Sequence, residues 1–321
     1  MTDIERAFVL AGGLSVERDV SLKSGRRVAD ALRSVGIEAI LLDADAELLP
    51  RLAAETPDAV FIALHGGPGE DGALRGVLDL LDVSYAGSSA HACRLAFDKP
   101  TAKALIAAAG LQTPAWLALP HASFRELGAS TVITHLVERL GLPLMVKPAY
   151  GGSALGATIV TEAGQLPGAL VASFGYAETA LIERFVVGTE ITVAVIDTGD
   201  GPQALPAVEI DALGGPYDYA ARYTAGATEF YVPARVSDEA AAAAAHLAVT
   251  AHTVLGLADL SRTDCIVDSA GTVHFLEVNV SPGMTETSLF PLAVAAAGMD
   301  LGIICRDLLQ VAMSRPTKPG R

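Results

Sequence analysis

Residues 274–285 read HFLEVNVSPGMT, an apolar run broken by Glu277 and Asn279. Side chains of a strand alternate faces, so Phe275, Glu277 and Asn279 are expected on one face and Leu276, Val278 and Val280 on the other. Two polar groups on one face make either a solvated sheet surface or a site. The preceding LSRTDCIVDSAGTV reads as a partner strand and a tight turn. With Ala270 and Gly271 central in that turn, Asp264 falls opposite Glu277 and Arg262 opposite Asn279. Directly opposed carboxylates repel each other, and a hard cation removes the conflict. Mg²⁺ takes oxygen ligands, commonly one or two carboxylates together with substrate phosphates. Asp264, Glu277 and Asn279 supply such oxygens, and Arg262 can hold an anion beside them.

A metal that bridges phosphates needs partners for their other oxygens. Lys147 ends the apolar run LPLMVKP and leads into the glycine-rich AYGGSALG. A lysine at a strand end followed by such a loop suits phosphate, through a point charge and backbone N–H groups. This is not a Walker loop, because GxxxxGK[ST] is absent. A rival motif lies at 67–72, where GPGEDG satisfies GxGxxG between a strand-like and a helix-like segment. That context fits an NAD-linked oxidoreductase. However, GSSAHACRLAFD offers no strand-end acid for the ribose about 20 residues on, and Glu70 and Asp71 would repel a pyrophosphate. A non-catalytic nucleotide-binding regulator is a third reading, disfavoured by the set of metal ligands.

The elements that must position these groups change character along the chain. RAFVLAGG, AILLDA and DAVFIALHGG read as buried strands, and SVERDVSLKSGRRVADALRSVG and DGALRGVLDLLD as helices. Val20, Ser24, Val28, Ala31, Leu32 and Val35 mark the inner face of the first helix. This is the βαβ rhythm of an open parallel sheet, whose ligands sit beyond the carboxyl ends of the strands. After Asp98 come a helix KPTAKALIAAAG, the strand WLAL and a helix TVITHLVERLG. LPLMVKPA, ALGATIV, TALIERFVV and EITVAVI then read as an antiparallel run with little helix between. Residues 211–234 show neither period and read as a long functional loop. An alanine-rich helix over 238–255 follows, with His246 and His252 as surface or packing residues. The hairpin and a terminal helix close the sequence.

At 321 residues, 51% hydrophobic and 18% charged, the sequence describes a packed globular protein of two or three domains. A net charge of −15 argues against a nucleic-acid backbone or an anionic membrane as partner. Cys93, Cys265 and Cys305 form no CxxC, which fits a reduced compartment and buried thiols. The opening MTDIERAFVLAGG carries acids and a short apolar run, and no run is long enough to span a bilayer. No signal peptide and a cytoplasmic location are therefore expected.

AGGLSVERDVSLKSG, FIALHGGPGEDG, the DK at 98–99, VKP, LIERFVVGTE, ARYTAGATEFYVPA, RTDCIVD and LEVNVSPGMTETSLFP follow one another in this order. In these motifs the sequence resembles the D-alanine–D-alanine ligases of the ATP-grasp superfamily, over nearly its whole length and most specifically in the last. The resemblance implies an α/β and α+β protein with a three-domain ATP-grasp fold. Residues 1–92 would form the N-terminal open parallel α/β sheet domain and 93–186 the central domain with its glycine-rich flap. Residues 187–321 would carry the lid loop and the metal site. ATP would lie between the last two domains with two Mg²⁺ ions, D-alanine would be the other substrate, and the protein would be a homodimer.

By the same resemblance, Lys99 and Lys147 contact ATP phosphates, Glu183, Phe185 and Val186 line the adenine pocket, and Glu190 meets the ribose. Asp264, Glu277 and Asn279 match the metal ligands, in agreement with the hairpin argument. Glu17 would hold the first substrate's ammonium, with His65 at the same subsite. Arg262 and the N–H of Gly283 match the oxyanion stabilisers, and Ser288 with the N–H of Leu289 the second substrate's carboxylate site. Ser153 belongs to the flap, and Tyr223 matches the lid tyrosine, implying a link Tyr223–Ser153–Glu17. Four positions depart from the family. Arg222 stands where lysine is usual, the flap has Gly151 and Ala154 in place of a more polar cover, and Val280 replaces a frequent threonine. The implied reaction makes D-alanyl-D-alanine through D-alanyl phosphate for peptidoglycan precursors. The alternative is a specialised-pathway ligase joining D-alanine to another amino or hydroxy acid.

Overall fold

The computed structural model describes residues 3–215, 217, 221, 222, 224 and 226–315. Among these residues the strands form three sheets. The first contains β1 (Arg6–Ala11), β2 (Glu38–Asp43), β3 (Ala59–Ile62) and β4 (Tyr85–Ala86), all parallel in the order β2-β1-β3-β4. Strands β1 and β3 are buried almost throughout, as the apolar runs of a sheet covered on both faces require. Helix Arg18–Ser34 covers one face through Ser21, Ser24, Gly25, Val28, Ala29 and Leu32. Val20, Ala31 and Val35 are only half-buried, so the helix is turned from the expected face. Its small residues, rather than its valines, make the close approach.

The second sheet is antiparallel, with β5 (Trp116–Pro120), β6 (Leu144–Pro148), β7 (Thr158–Val160) and β8 (Thr179–Arg184) ordered β5-β8-β6-β7. A helix over Leu166–Phe174 intervenes where little helix was expected, and buries Leu166, Ala169 and Leu170. Its sequence is too uniformly apolar to show a period. The signal lies just ahead of it, in the reciprocal capping box of Glu162 and Gln165.

The third sheet holds β9 (Gly188–Ile196), β10 (Gln203–Ala204), β11 (Val208–Ala212), β12 (Thr228–Tyr231), β13 (Leu260–Asp268) and β14 (Val273–Asn279). Its order is β12-β11-β9-β13-β14, with β10 on β9, and every pairing is antiparallel. The end of β11 and all of β12 fall inside the stretch expected to be structureless. Helix Asp238–Val254 covers one face with Leu247, Ala248 and Ala251, and helices Ala90–Phe97 and Lys99–Ala108 add Cys93, Ala102 and Ile106 to the same core. His246 is exposed and His252 is packed, its Nδ1 2.8 Å from Ser261 Oγ. The three cysteines are buried free thiols.

The β13–β14 hairpin keeps the expected pairs Arg262–Asn279 and Asp264–Glu277 but reaches them by another route. Val267 pairs with Val273 and Cys265 with Phe275, one residue out of the expected register, and a bulge at Leu276 restores it. Phe275 therefore joins the core with Val278 and Val280, while Leu276 lines a cavity beside Glu277. The face expected for Phe275 and Leu276 is thus corrected for both.

Helix Leu301–Ser314 returns to the first sheet at β3 and β4, helix Leu289–Ala296 lies against β9 and β11, and Phe290, Leu308 and Leu309 share one core with Leu32 and Phe61. Among the described residues no single helix is long and apolar enough to cross a membrane.

Candidate active site

Two cavities, of about 570 and 950 Å³, meet above the third sheet and share a wall of Lys99, Gly151, Gly152, Tyr217, Arg222 and Glu277. The smaller contains every residue expected to hold a nucleotide: Lys99, Lys147, Glu183, Phe185, Val186 and Glu190. The larger gathers Glu17, His65, Ser153, Arg222, Arg262, Asn279, Gly283, Ser288 and Leu289. Of the candidate residues, Tyr223 lies outside the described residues, and with it the link from Tyr223 to Ser153.

Alternation along β6 buries Leu144 and Val146 and turns Met145 and Lys147 to the smaller cavity. Lys147 Nζ lies 2.7 Å from Glu183 Oε1, and the fully buried Lys103 Nζ lies 2.7 Å from Glu183 Oε2. Burial by itself would lower the Lys147 ammonium and raise the Glu183 carboxyl. Mutual attraction reverses both, so Lys147 is raised and Glu183 lowered. For Lys103 burial wins, and its pKa is lowered despite Glu183. Lys99 donates from Nζ to the Gly151 carbonyl and lies 3.3 Å from Glu277 Oε2, which ties the flap to the hairpin. Burial pushes the Glu190 carboxyl up to about 7, with Arg222 opposing and Asp264 and Glu277 reinforcing.

On the hairpin, Arg262 forks onto Asp264, Nε to Oδ1 at 2.8 Å and Nη2 to Oδ2 at 2.9 Å. Thr192, opposite Asp264 on β9, donates to Oδ1 at 2.8 Å. Burial would raise the Glu277 carboxyl, but Lys99, Lys147, Arg222 and Arg262 pull it down to about 2. Among the described residues no group of three or more His, Cys, Asp or Glu side chains forms a cage by itself. The donor set nonetheless fits a hard cation. It is all oxygen, Glu277 stays ionised, and two opposed carboxylates face a nucleotide-sized cavity, which suits an ion that completes its shell with phosphate and water.

In the larger cavity Ser153 Oγ donates to Glu17 Oε1, joining the flap to the loop before the first helix. Ser153 and Ala154 both hold φ of +54°, a conformation that favours glycine. His65 is buried, with Nδ1 3.1 Å from the Ser281 carbonyl and Nε2 2.9 Å from Ser24 Oγ. The carbonyl accepts only from an N–H, so Nδ1 carries the proton and Nε2 accepts from Ser24. Burial lowers the His65 pKa, and both ring nitrogens are engaged with the protein. The imidazole braces the subsite. Ser288 sits at the N-cap of helix Leu289–Ala296, its Oγ 3.0 Å from Thr285 N, and a Cβ on Gly283 would come within 2.7 Å of that Oγ. Gly283 leaves room for this approach. Arg222 stacks 4.2 Å above the Tyr217 ring, which gives the planar fork a platform that a lysine would use less well.

Two residues escaped the reading of the sequence. Lys103 stands four residues after Lys99 on one helix and so shares its face; that spacing was the available signal. Glu70 ends the one-turn helix Gly67–Glu70 inside the GPGEDG motif and lines the larger cavity with Glu17. Gly69 and Gly72 of that motif answer to packing, whereas a Cβ on Gly67 would meet nothing within 4 Å. A Cβ on Gly69 would lie 2.6 Å from Leu64 Cβ.

Residues 105–310 match the family model described as the D-ala D-ala ligase C-terminus. A D-alanine–D-alanine ligase of Bordetella petrii is 42% identical over 313 residues, covering 98% of this chain and 94% of the relative. One of Pelotomaculum thermopropionicum is 39% identical over 305 residues, covering 95% and 96%. Among solved structures, the D-alanine–D-alanine ligase of Bacillus anthracis complexed with ATP aligns at a TM-score of 0.80 and 27% identity, covering 97% of each chain. The VanG D-Ala:D-Ser ligase of Enterococcus faecalis aligns at 0.83 and 25%, covering 97% of this chain and all of that one.

Proposed function

The chain belongs to the D-alanine–D-alanine ligase family, whose solved structures share its ATP-grasp fold, and we propose that it joins two D-alanines with cleavage of ATP to ADP and phosphate. The observation that carries this reading is the shared wall between the cavities. Lys99, Arg222 and Glu277 face both, so a phosphoryl group held in one cavity adjoins a substrate held in the other.

The first D-alanine binds in the larger cavity, its ammonium against Glu17. Its carboxylate oxygen attacks the γ-phosphorus, the bond to the β-phosphate oxygen breaks, and D-alanyl phosphate and ADP result. Lys99, Lys147 and Arg222 offset the charge spread over the transferring oxygens, so positioning and electrostatics carry the step. The second D-alanine binds its carboxylate at Ser288 and at the N–H of Leu289, on the positive end of a helix. Its amine, having lost a proton, attacks the acyl carbon. Arg262 commits Nε and Nη2 to Asp264, leaving Nη1 for the tetrahedral oxyanion beside the N–H of Gly283. One such donor is worth roughly 3–4 kcal/mol. Phosphate then leaves. Asp264, Glu277 and Asn279 would hold one or two Mg²⁺ ions, which when bound supply positive charge to the phosphates. Glu190 would meet the ribose and Glu183, Phe185 and Val186 the adenine. Tyr223 is proposed to close the lid over the acyl phosphate.

The division into domains at residues 92 and 186, a homodimer, a cytoplasmic location and a role in peptidoglycan precursor synthesis belong to the same proposal. A second reading keeps the chemistry and changes the acceptor to another amino or hydroxy acid. Arg222 favours it, because its stacked fork replaces a mobile ammonium beside the second subsite.

Purified protein with ATP and Mg²⁺ should release ADP and phosphate only when D-alanine is added, and should ignore NAD. Mass spectrometry of products from a panel of D- and L-amino acids and D-lactate identifies the acceptor. Turnover indifferent to D-alanine would overturn the ligase reading.

A further inference from the structure

Glu17 and Glu70 enter the larger cavity from different elements and meet beneath the glycine flap. Glu17 gives one oxygen, Oε1, to Ser153. Glu70 gives one oxygen, Oε1, to the N–H of Gly66 at 3.1 Å. The second oxygen of each approaches the flap: Glu17 Oε2 lies 3.9 Å and Glu70 Oε2 4.0 Å from the point a Cβ on Gly152 would occupy. Gly152 leaves that point open, and both carboxylates line the cavity. A carboxylate pair at a buried position repels itself unless a cation lies between. An ammonium has three donors and accepts nothing, so one ammonium can face two carboxylates at once.

We propose that Glu70 is the second carboxylate of the ammonium site for the first amino-acid substrate, and that it gives up a proton when the substrate ammonium binds. The proposal deepens the ligase reading and rests on it. Before the substrate arrives, burial and the neighbouring Glu17 push the Glu70 carboxyl up to about 7, while the Gly66 N–H, Lys99 and Arg262 pull the other way. Cys93, on helix Ala90–Phe97, also feels its charge, and His65 faces Glu17. Around pH 6–7 Glu70 therefore carries a proton for much of the time. The ammonium favours the ionised form, so the proton leaves to solvent as the substrate enters. A hydroxy acid brings no such charge. The pair thus selects an amine over a hydroxyl at the first subsite.

The test is calorimetry of D-alanine binding to the full-length protein with ADP and Mg²⁺, in buffers of different ionisation enthalpy, with D-lactate as the probe that lacks the ammonium. D-Alanine should release close to one proton at pH 6 and little at pH 8.5, and D-lactate none. Affinity for D-alanine should rise about tenfold per pH unit below 7 and level off above it, as linkage to one proton requires. Glu70→Gln keeps an acceptor for the Gly66 N–H. It should abolish the proton release and flatten the pH profile, raising the first-site KM for D-alanine at least tenfold with KM for ATP unchanged. A purely structural Glu70 would move none of these in that pattern. Equal heats in all buffers at pH 6 for the wild type, or a Glu70→Gln enzyme with unchanged KM and pH profile, overturns the proposal while D-alanine-dependent ADP release leaves the ligase reading standing. Loss of that release in the wild type overturns both. The wild-type measurement decides the matter even where the variant folds poorly.

Discussion

Replacing Glu277 with alanine is expected to leave nucleotide binding intact or tighter while ligation falls by roughly 10²–10³-fold. Lys99, Lys147, Arg222 and Arg262 all act upon the Glu277 carboxylate, and together they pull its pKa down to about 2. Without it those four cations face the cavities with less counter-charge, and the anionic triphosphate gains attraction. Turnover has the opposite requirement. The expected metal position loses a carboxylate opposite Asp264, so the phosphates are held but not arranged for in-line transfer. Stability falls modestly, because unscreened cations repel, and added salt should restore part of the loss. ATP binding measured without Mg²⁺, set beside ADP release with it, separates the two effects. A variant that binds ATP less tightly and turns over normally at limiting Mg²⁺ would remove Glu277 from the metal site. The pH dependence has a definite sign. A carboxylate whose folded pKa is depressed contributes stability that is present above its unfolded pKa and lost as pH falls towards about 2. Acid unfolding of the wild type should therefore lose a component in that window that Glu277→Ala lacks.

Much of the site could be read because its groups are local in the chain or fixed by period. Lys147 followed by its glycine loop, and Arg262, Asp264, Glu277 and Asn279 on two alternating strands, declare themselves within short segments. What stayed hidden was set from a distance. The bulge at Leu276 goes with Phe275 bonding to the segment before β5, through Gln112 O at 2.9 Å and Thr113 Oγ1 at 2.9 Å, and alternation within the hairpin cannot foresee that partner. The expected pairing of Asp264 with Glu277 came out right because the shift at the turn and the bulge cancel. Glu70 was read only as an obstacle to pyrophosphate, since its counterpart Glu17 lies on another element. His65 lies in the larger cavity with Glu17, and the hydroxyl of Ser24 and the carbonyl of Ser281 that hold both its nitrogens come from distant parts of the chain. The helix Leu166–Phe174 lacks a period because nearly every residue in it is apolar or small.

Glu183→Gln should be among the most destabilising single substitutions in the molecule. Glu183 is almost wholly buried between Lys103 and Lys147, each 2.7 Å away, and Lys103 is fully buried. The glutamine has nearly the same shape, so packing is kept and the change is one of charge. It leaves two ammonium groups around a neutral amide, and an uncompensated buried charge costs about 3–5 kcal/mol. That is a large fraction of the roughly 5–15 kcal/mol by which a domain is stable. Lys103 should respond by giving up its proton, since burial already lowers its pKa even with Glu183 present. A base with a depressed folded pKa binds more protons when unfolded, so stability then rises with pH until the unfolded lysine also deprotonates. Thermal melts of Glu183→Gln should accordingly recover between pH 7 and 10. Adding Lys103→Met to Glu183→Gln removes the stranded charge and should return part of the lost stability at pH 7, a coupling that separate sites would not show. ATP affinity of the single variant should fall as well, because Lys147 loses the carboxylate that fixes its ammonium at the strand end. Melting temperatures that match the wild type at pH 7, with no recovery at higher pH and no gain in the double variant, would mean that the two lysines do not depend on Glu183 as the geometry requires.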